Sequence, residues 1–145
     1  IDGDSNTFRD NESRFNTENG FDVNGTENVL SRNVAADNGD DGFDLDGERN
    51  RLTRNEAHKN GAIGEPGNRN GFHVSNDFNA LTGNVATENA EFGFVIDDGI
   101  FGNSITNRNI SELNGSTDMH DLNAECSSNR WRQNIFGTSD PGCID

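Results

Sequence analysis

Residues 28–45 read NVLSRNVAADNGDDGFDL, and the pattern of this stretch returns along most of the chain. Counted from Asn28, asparagine recurs at +5 and +10, apolar residues stand at +2 and +7, and Gly-Phe-Asp-Leu occupies +14 to +17. The next unit begins at Asn50, 22 residues later (50 − 28). A period of about 20–30 residues is typical of proteins whose units stack on one another.

The unit recurs four times clearly and twice in degraded form. Its first asparagine stands at Asn6, Asn28, Asn50, Asn79, Asn103 and Asn129. The third step is 29 residues long (79 − 50), because an insertion lies around residues 63–70. Apolar residues flank a polar one near the end of the first three units, which is the alternation of a β-strand. Three short strands per unit and no helical run predict an all-β solenoid of about five to six coils.

The recurring asparagines are predicted to lie at or beside the corners between strands, and the recurring glycines to form tight turns. Asparagine side chains at equivalent positions of successive coils can hydrogen-bond to one another as a ladder. Asparagine also tolerates left-handed backbone conformation, and glycine suits tight turns. The predicted glycine positions are Gly20, Gly42, Gly71 and Gly93. The predicted structural ladder includes Asn28, Asn50 and Asn79 in one column and Asn33, Asn55 and Asn84 in a second.

Composition excludes several classes of function. Apolar residues make up 29% of the chain and the formal net charge is −15. Phosphate binding needs clustered cations, and Lys59 is the only lysine, so we expect no nucleic-acid partner. No segment has the roughly 18 consecutive apolar residues of a membrane span, so we expect no membrane insertion.

The two ends of the chain differ in the sequence. Ile1 stands five residues before Asn6, as Val23 does before Asn28, which predicts that the first coil is incomplete and open. We expect β-helix coils over 1–110, then an irregular loop with the last coil and a C-terminal cap over 111–145. Cys126 and Cys143, with Trp131 between them, are predicted to form a disulfide that closes this end.

The repeated N-x-[apolar]-x-x-N-x-[Ala/Ser]-x-x-N units with their closing Gly-Phe-x-[Val/Leu/Ile] resemble right-handed parallel β-helix repeat proteins. These include the pectate-lyase-like solenoids and the NosD-type carbohydrate-binding and sugar-hydrolase repeats. The resemblance covers roughly residues 1–136 and implies a right-handed parallel β-helix. It is a poor guide to activity, since the fold hosts lyases, hydrolases, epimerases and inert stalks.

One outward face is predicted to be acidic. Stacking would place the polar residues after each Gly-Phe pair in neighbouring columns, where carboxylates could hold Ca²⁺. The candidate ligand-binding residues are Asp22, Asp44, Asp46, His73 and Asp97, with Asp44 and Asp46 as the candidate calcium ligands. No arginine stands in these columns to act as a lyase base. His58, His73 and His120 share no metal-ligand spacing and are predicted to be solvent-exposed.

Three functions remain open at this point. The first is a non-catalytic secreted or cell-surface structural module that stacks head to tail on itself through the open coil, forming filaments. The second is a carbohydrate-binding module on the acidic face, with or without calcium. The third is a polysaccharide lyase, hydrolase or epimerase that uses Asp44 and Asp46. Candidate glycosylation sequons lie at Asn24, Asn109 and Asn114.

Overall fold

A computed structural model describes residues 1–61, 69–126 and 128–145, and these residues form a parallel β-solenoid with three sheets of six strands each. Each coil of the chain contributes one short strand to every sheet. Sheet 1 contains β1 (Thr7–Arg9), β4 (Val29–Ser31), β7 (Arg51–Thr53), β10 (Ala80–Thr82), β13 (Ser104–Thr106) and β16 (Arg130–Arg132).

Sheets 2 and 3 follow the same order along the solenoid axis. Sheet 2 contains β2 (Glu12–Arg14), β5 (Val34–Ala36), β8 (Glu56–His58), β11 (Val85–Thr87), β14 (Ile110–Glu112) and β17 (Ile135–Phe136). Sheet 3 contains β3 (Phe21–Val23), β6 (Phe43–Leu45), β9 (Phe72–Val74), β12 (Phe94–Ile96), β15 (Met119–Asp121) and β18 (Ser139–Asp140). The prediction of an all-β solenoid is confirmed.

The core consists of stacked columns of equivalent residues. In sheet 1, Leu30, Leu52 and Leu81 are paired in register and fully buried. In sheet 3, the rings of Phe21, Phe43, Phe72 and Phe94 stack nearly parallel, with centroids 4.6–4.9 Å apart. A chain with few apolar residues therefore folds because each coil places them above those of the coil before.

The predicted asparagine ladder is confirmed and is buried. Oδ1 of Asn55 accepts hydrogen bonds from the backbone N–H of Asn33 at 2.9 Å and from its Nδ2 at 3.0 Å. Asn55 in turn donates from Nδ2 to Oδ1 of Asn84 at 3.1 Å and to the Leu30 carbonyl at 3.0 Å. The Oδ1 atom of each of these ladder asparagines thus accepts hydrogen bonds from the asparagine of the preceding coil. This satisfies backbone donors that have no strand partner at the corners.

The corners themselves differ from the prediction. The residue before a ladder asparagine, not the asparagine, has the left-handed backbone, as in Arg32 (φ 55°) and Arg54 (φ 56°). Gly71 is required for another reason than a tight turn. A Cβ on Gly71 would lie 2.6 Å from the Gly93 carbonyl oxygen and 2.8 Å from Cβ of Ala86, so the close approach of the coils excludes a side chain.

The regular coils continue beyond residue 110, into a segment predicted to be an irregular loop. β14 pairs with β11 and β15 pairs with β12, both in parallel register. The strands β16 to β18 then form the final coil. The predicted disulfide is present between Cys126 and Cys143, and it joins the C-terminal tail to a short 3-10 turn at Ala124–Cys126.

The described helical structure is this short turn, and no helix in the described ranges is long and apolar enough to cross a membrane. Residues 63–68 of the predicted insertion lie outside the described part of the chain. The flanking coils pair normally on both sides of that gap, since Gly61 N–H donates to the Asn38 carbonyl at 2.8 Å and Glu91 N–H donates to the Arg69 carbonyl at 2.9 Å.

Candidate functional site

The outward-facing column of sheet 3 carries the candidate site. Asp22, Asp44, His73, Val95 and His120 are successive register partners along this column. Neighbouring strands lie about 4.8 Å apart, so side chains of adjacent coils are within contact distance. The sequence therefore places acidic and imidazole groups together on the first, second and third coils.

His73 lies at the centre of a carboxylate cluster. Its Nδ1 is 3.0 Å from Oδ1 of Asp44 and 3.3 Å from Oδ2 of Asp41. Its Nε2 is 3.1 Å from Oδ1 of Asp97. His73 is only 8% exposed, so the prediction that it is a solvated surface residue is wrong. His73 is buried because carboxylates cover both ring nitrogens: Asp41 and Asp44 lie next to Nδ1, and Asp97 lies next to Nε2.

The electrostatics of the cluster favour a positive charge between the carboxylates. Burial lowers the pKa of His73, but the close contacts with the carboxylates of Asp41 and Asp44 and their charges outweigh burial and raise that pKa to about 11. The ring is therefore an imidazolium at neutral pH. Burial is the main cause that raises the pKa of Asp41, and contacts with His73 and Asn70 act against it. Burial and the charge of Asp44 likewise raise the pKa of Asp22 and of Asp40.

Asp41 belongs to a further ladder that was not predicted. Two residues before Phe21, Phe43 and Phe72 stand Asn19, Asp41 and Asn70, respectively. Asp41 N–H donates to Oδ1 of Asn19 at 3.0 Å, Asn70 N–H donates to Oδ1 of Asp41 at 2.6 Å, and Phe92 N–H donates to Oδ1 of Asn70 at 3.2 Å. Asp41 thus occupies an asparagine position, with a carboxylate oxygen in place of the amide nitrogen.

The aspartate in an asparagine position is the signal that could have revealed the site. Asp41 is fully buried, and within the described residues its Oδ2 accepts no hydrogen bond. An asparagine there would present a neutral NH₂ group to His73, whereas aspartate presents a buried charge. The ligand atoms of Asp41, Asp44 and His73 all lie within 4.8 Å of one another, a spacing at which one metal ion could contact all three.

The other predicted residues of the acidic face lie near this cluster but make separate contacts. Asp46 accepts a hydrogen bond from the hydroxyl of Ser75. Asp22 is exposed in the first coil, next to Asp44 in register. The structure therefore joins Asp44 to Asp41 and His73, and a calcium site at Asp44 and Asp46 stays a prediction. His58 contacts Thr87, and His120 packs beside the ring of Phe92.

The three candidate sequons lie in different environments. Asn109 is fully buried, and its Nδ2 donates to the carbonyls of Leu81 and Thr106 and to Oδ1 of Asn134. Asn109 belongs to the second ladder column, so the folded protein has no room for a glycan there, and this candidate is corrected. Nδ2 of Asn114 is likewise hydrogen-bonded, to Asp118 among others. Asn24 is the exposed one of these three candidates.

The fold and this cluster define the chain as a parallel β-solenoid with an acidic, imidazole-containing face. A scan against protein-family models finds no match. Neither the curated proteins nor the solved structures give a match.

Proposed function

We propose that this chain is a non-catalytic structural module of the extracellular or cell-surface type, a rigid acidic solenoid that stacks end-on on a second copy through its N-terminal coil. The observation that carries this proposal is the direction of the asparagine ladder. In the three corner columns that begin at Asn6, Asn11 and Asn16, the side-chain oxygens of each inner coil accept hydrogen bonds from the coil before. The asparagine side-chain oxygens of the first described coil are therefore hydrogen-bond acceptors that no donor of a preceding described coil reaches.

The N-terminal coil presents a surface that fits another coil of the same kind. Asn6, Asn11 and Asn16 are exposed, and within the described residues their side-chain oxygens accept no hydrogen bond. The rings of Phe8 and Phe21 are only partly buried against the core. Unpaired strand edges of this sort are a template for further strands. The surface is complementary to the donor edge of an identical coil, which favours a second copy as the occupant.

The C-terminal donor edge is covered by the chain's own tail. The carbonyl of Asp145 accepts hydrogen bonds from the backbone N–H and the Nδ2 of Asn134, both at 3.4 Å, as the oxygen of a following asparagine would. Ile144 is 6% exposed and packs in the core, and the Cys126–Cys143 disulfide anchors the tail. Head-to-tail stacking therefore requires the tail to leave, and the disulfide opposes that movement.

The test compares the oxidised protein with the Cys126→Ser/Cys143→Ser double variant, which cannot form intermolecular disulfides. We expect the double variant to form longer species in sedimentation velocity and rods in electron microscopy. The effect should grow between about 0.01 M and 0.15 M salt, because salt screens the repulsion between copies of charge −15. The matched control adds Phe8→Glu to the double variant and should restore monomers. A double variant that stays monomeric across these conditions contradicts the proposal.

The acidic face carries the alternative proposal of carbohydrate binding or polysaccharide cleavage, in the manner of pectate-lyase-like and NosD-type repeats. The contacts of its carboxylates favour the structural role. Asp44 already accepts a hydrogen bond from Asn19 at 3.0 Å and pairs with His73, and Asp46 pairs with Ser75. A glycan array with the wild type and the Asp44→Asn variant tests the alternative, since binding lost in the variant would favour it.

A further inference from the structure

We propose that Asp41, Asp44 and His73 form a binding site for a divalent transition-metal ion, with Zn²⁺ as the best match. The site lies on the second and third coils, away from the N-terminal end and the C-terminal tail. It is independent of end-on stacking, and the two proposals have separate tests.

The spacing of the inner atoms fits one small ion. Nδ1 of His73 is 3.0 Å from Oδ1 of Asp44 and 3.3 Å from Oδ2 of Asp41, and all three atoms lie within 4.8 Å of one another. Zinc binds histidine nitrogen and carboxylate oxygen at about 2.0–2.2 Å. Two such ligands separated by octahedral or tetrahedral angles lie about 3.0–3.5 Å apart. Little movement of the side chains is needed to place an ion between them.

The buried oxygen of Asp41 provides the second, independent observation. Oδ2 of Asp41 has no solvent exposure, accepts no hydrogen bond in the described part of the chain, and points at Nδ1 of His73. Nδ1 carries at most one hydrogen, and Oδ1 of Asp44 is the nearer acceptor for it. The one hydrogen on Nδ1 of His73 cannot form good hydrogen bonds to the carboxylates of both Asp41 and Asp44. A divalent ion contacts both at once and offsets both buried charges.

The outer atoms of all three side chains are held in place by the fold. Oδ1 of Asp41 accepts the Asn70 N–H at 2.6 Å, and Oδ2 of Asp44 accepts Nδ2 of Asn19 at 3.0 Å. Nε2 of His73 is 3.1 Å from a carboxylate oxygen of Asp97. A metal-binding histidine typically donates its second N–H to a carboxylate in this way. The remaining atom of each side chain is thereby directed toward the other two.

The donor set selects the class of metal. One imidazole nitrogen and two carboxylate oxygens suit zinc and neighbouring first-row ions. Calcium takes about six to eight oxygen ligands and is poorly served by a site with a nitrogen donor. The ion takes the place of the proton on Nδ1, which leaves to solvent, while Nε2 keeps its proton toward Asp97. Two carboxylates then balance the charge of one divalent cation.

The test is titration of chelator-treated full-length chain with ZnCl₂ by calorimetry, and with CoCl₂ by visible absorption. We expect one saturable zinc site per chain and a cobalt band that reports coordination by the protein. Asp41→Asn should weaken zinc binding at least about 100-fold, because it removes an anionic ligand. Asp97→Asn should weaken it about 10- to 100-fold by removing the outer hydrogen bond of the histidine.

The Asp41→Asn variant is suited to this test because asparagine is the residue found at the same ladder position in the neighbouring coils. It should keep the far-ultraviolet circular dichroism of the wild type. The matched control is Asp46→Asn, on the same face outside the cluster, which should change the zinc affinity less than about twofold. Absence of saturable zinc binding, equal affinity in Asp41→Asn, or stronger binding of CaCl₂ than of ZnCl₂ would each overturn the proposal.

Discussion

The two ends of the solenoid are closed to different degrees. At the C-terminal end Trp131 is 5% exposed, its indole N–H donates to Asp121 at 2.8 Å, and Ile144 packs beneath the last coil. At the N-terminal end Phe8, which occupies the same core column, is only partly buried. In the described corner ladder columns, asparagine oxygens are the free acceptors at the N-terminal end, and asparagine N–H groups are directed toward the C-terminal end. An exposed acceptor oxygen is readily solvated, whereas the donors of Asn134, the last asparagine of the second column, are covered by the carbonyl of Asp145.

The largest expected effect compares the core column at the two ends. Trp131→Ala should lower the free energy of unfolding by about 3–5 kcal/mol, because it leaves a cavity under the tail and removes the donor to Asp121. Phe8→Ala should lower it by about 1–2 kcal/mol, because part of that ring is already exposed. Urea unfolding followed by circular dichroism measures both. Equal losses would show that the N-terminal coil is as well closed as the C-terminal one.

A smaller effect is expected from the ladder. Asn55→Ala should cost about 2–3 kcal/mol, because the buried backbone N–H and Nδ2 of Asn33 lose their acceptor and Oδ1 of Asn84 loses a donor. Asn11→Ala at the exposed end of the same column should cost less than about 1 kcal/mol, because its oxygen faces solvent. The same urea experiment applies. A larger loss of unfolding free energy in Asn11→Ala than in Asn55→Ala would show that the side-chain oxygen of Asn11 accepts a hydrogen bond in solution. The N-terminal end of the solenoid would then be covered.

The last comparison is a pH dependence that should be common to both ends. In chelator-treated protein the stability contributed by protonated His73 is fully present below its ordinary pKa of 6.5 and is lost as the pH rises toward about 11. Because the cluster lies between the two ends, Trp131→Ala and Phe8→Ala should keep this alkaline decline. His73→Gln should flatten it between pH 6.5 and 11. A decline of unchanged slope in His73→Gln would assign it to other groups.

The fold could be predicted from the sequence because every coil of a solenoid repeats the same pattern of apolar and polar positions. The positions of Leu30, Leu52 and Leu81 in each unit fix the strand, its inward side and its register at once. The coil over residues 111–121 was harder to find, because Ser111 replaces the column's alanine and the spacing between asparagines changes to 25 residues at Asn109 and Asn114. The strands of this coil still pair in register with those of the preceding coil, although the asparagine spacing differs.

The site could be predicted only in part. The stacking of Asp44 beneath His73 follows from the period, and the structure confirms their register. The burial of His73 does not follow from the period, because it depends on Asp41, a buried residue that precedes the strand. Reading position by position shows an aspartate between Asn19 and Asn70, yet only the structure shows that its second oxygen meets the imidazole.

The changing length of the coils has a practical consequence for engineering. Successive first-column asparagines are separated by 22, 22, 29, 24 and 26 residues, yet the hydrogen bonds between them are kept at 2.7–3.0 Å. The unit that begins at Asn50 is seven residues longer than the two units before it (29 − 22), yet the described strand β7 pairs in register with both of its neighbours. A foreign peptide placed between residues 61 and 69 should therefore be displayed from a rigid scaffold, at a defined height along its axis.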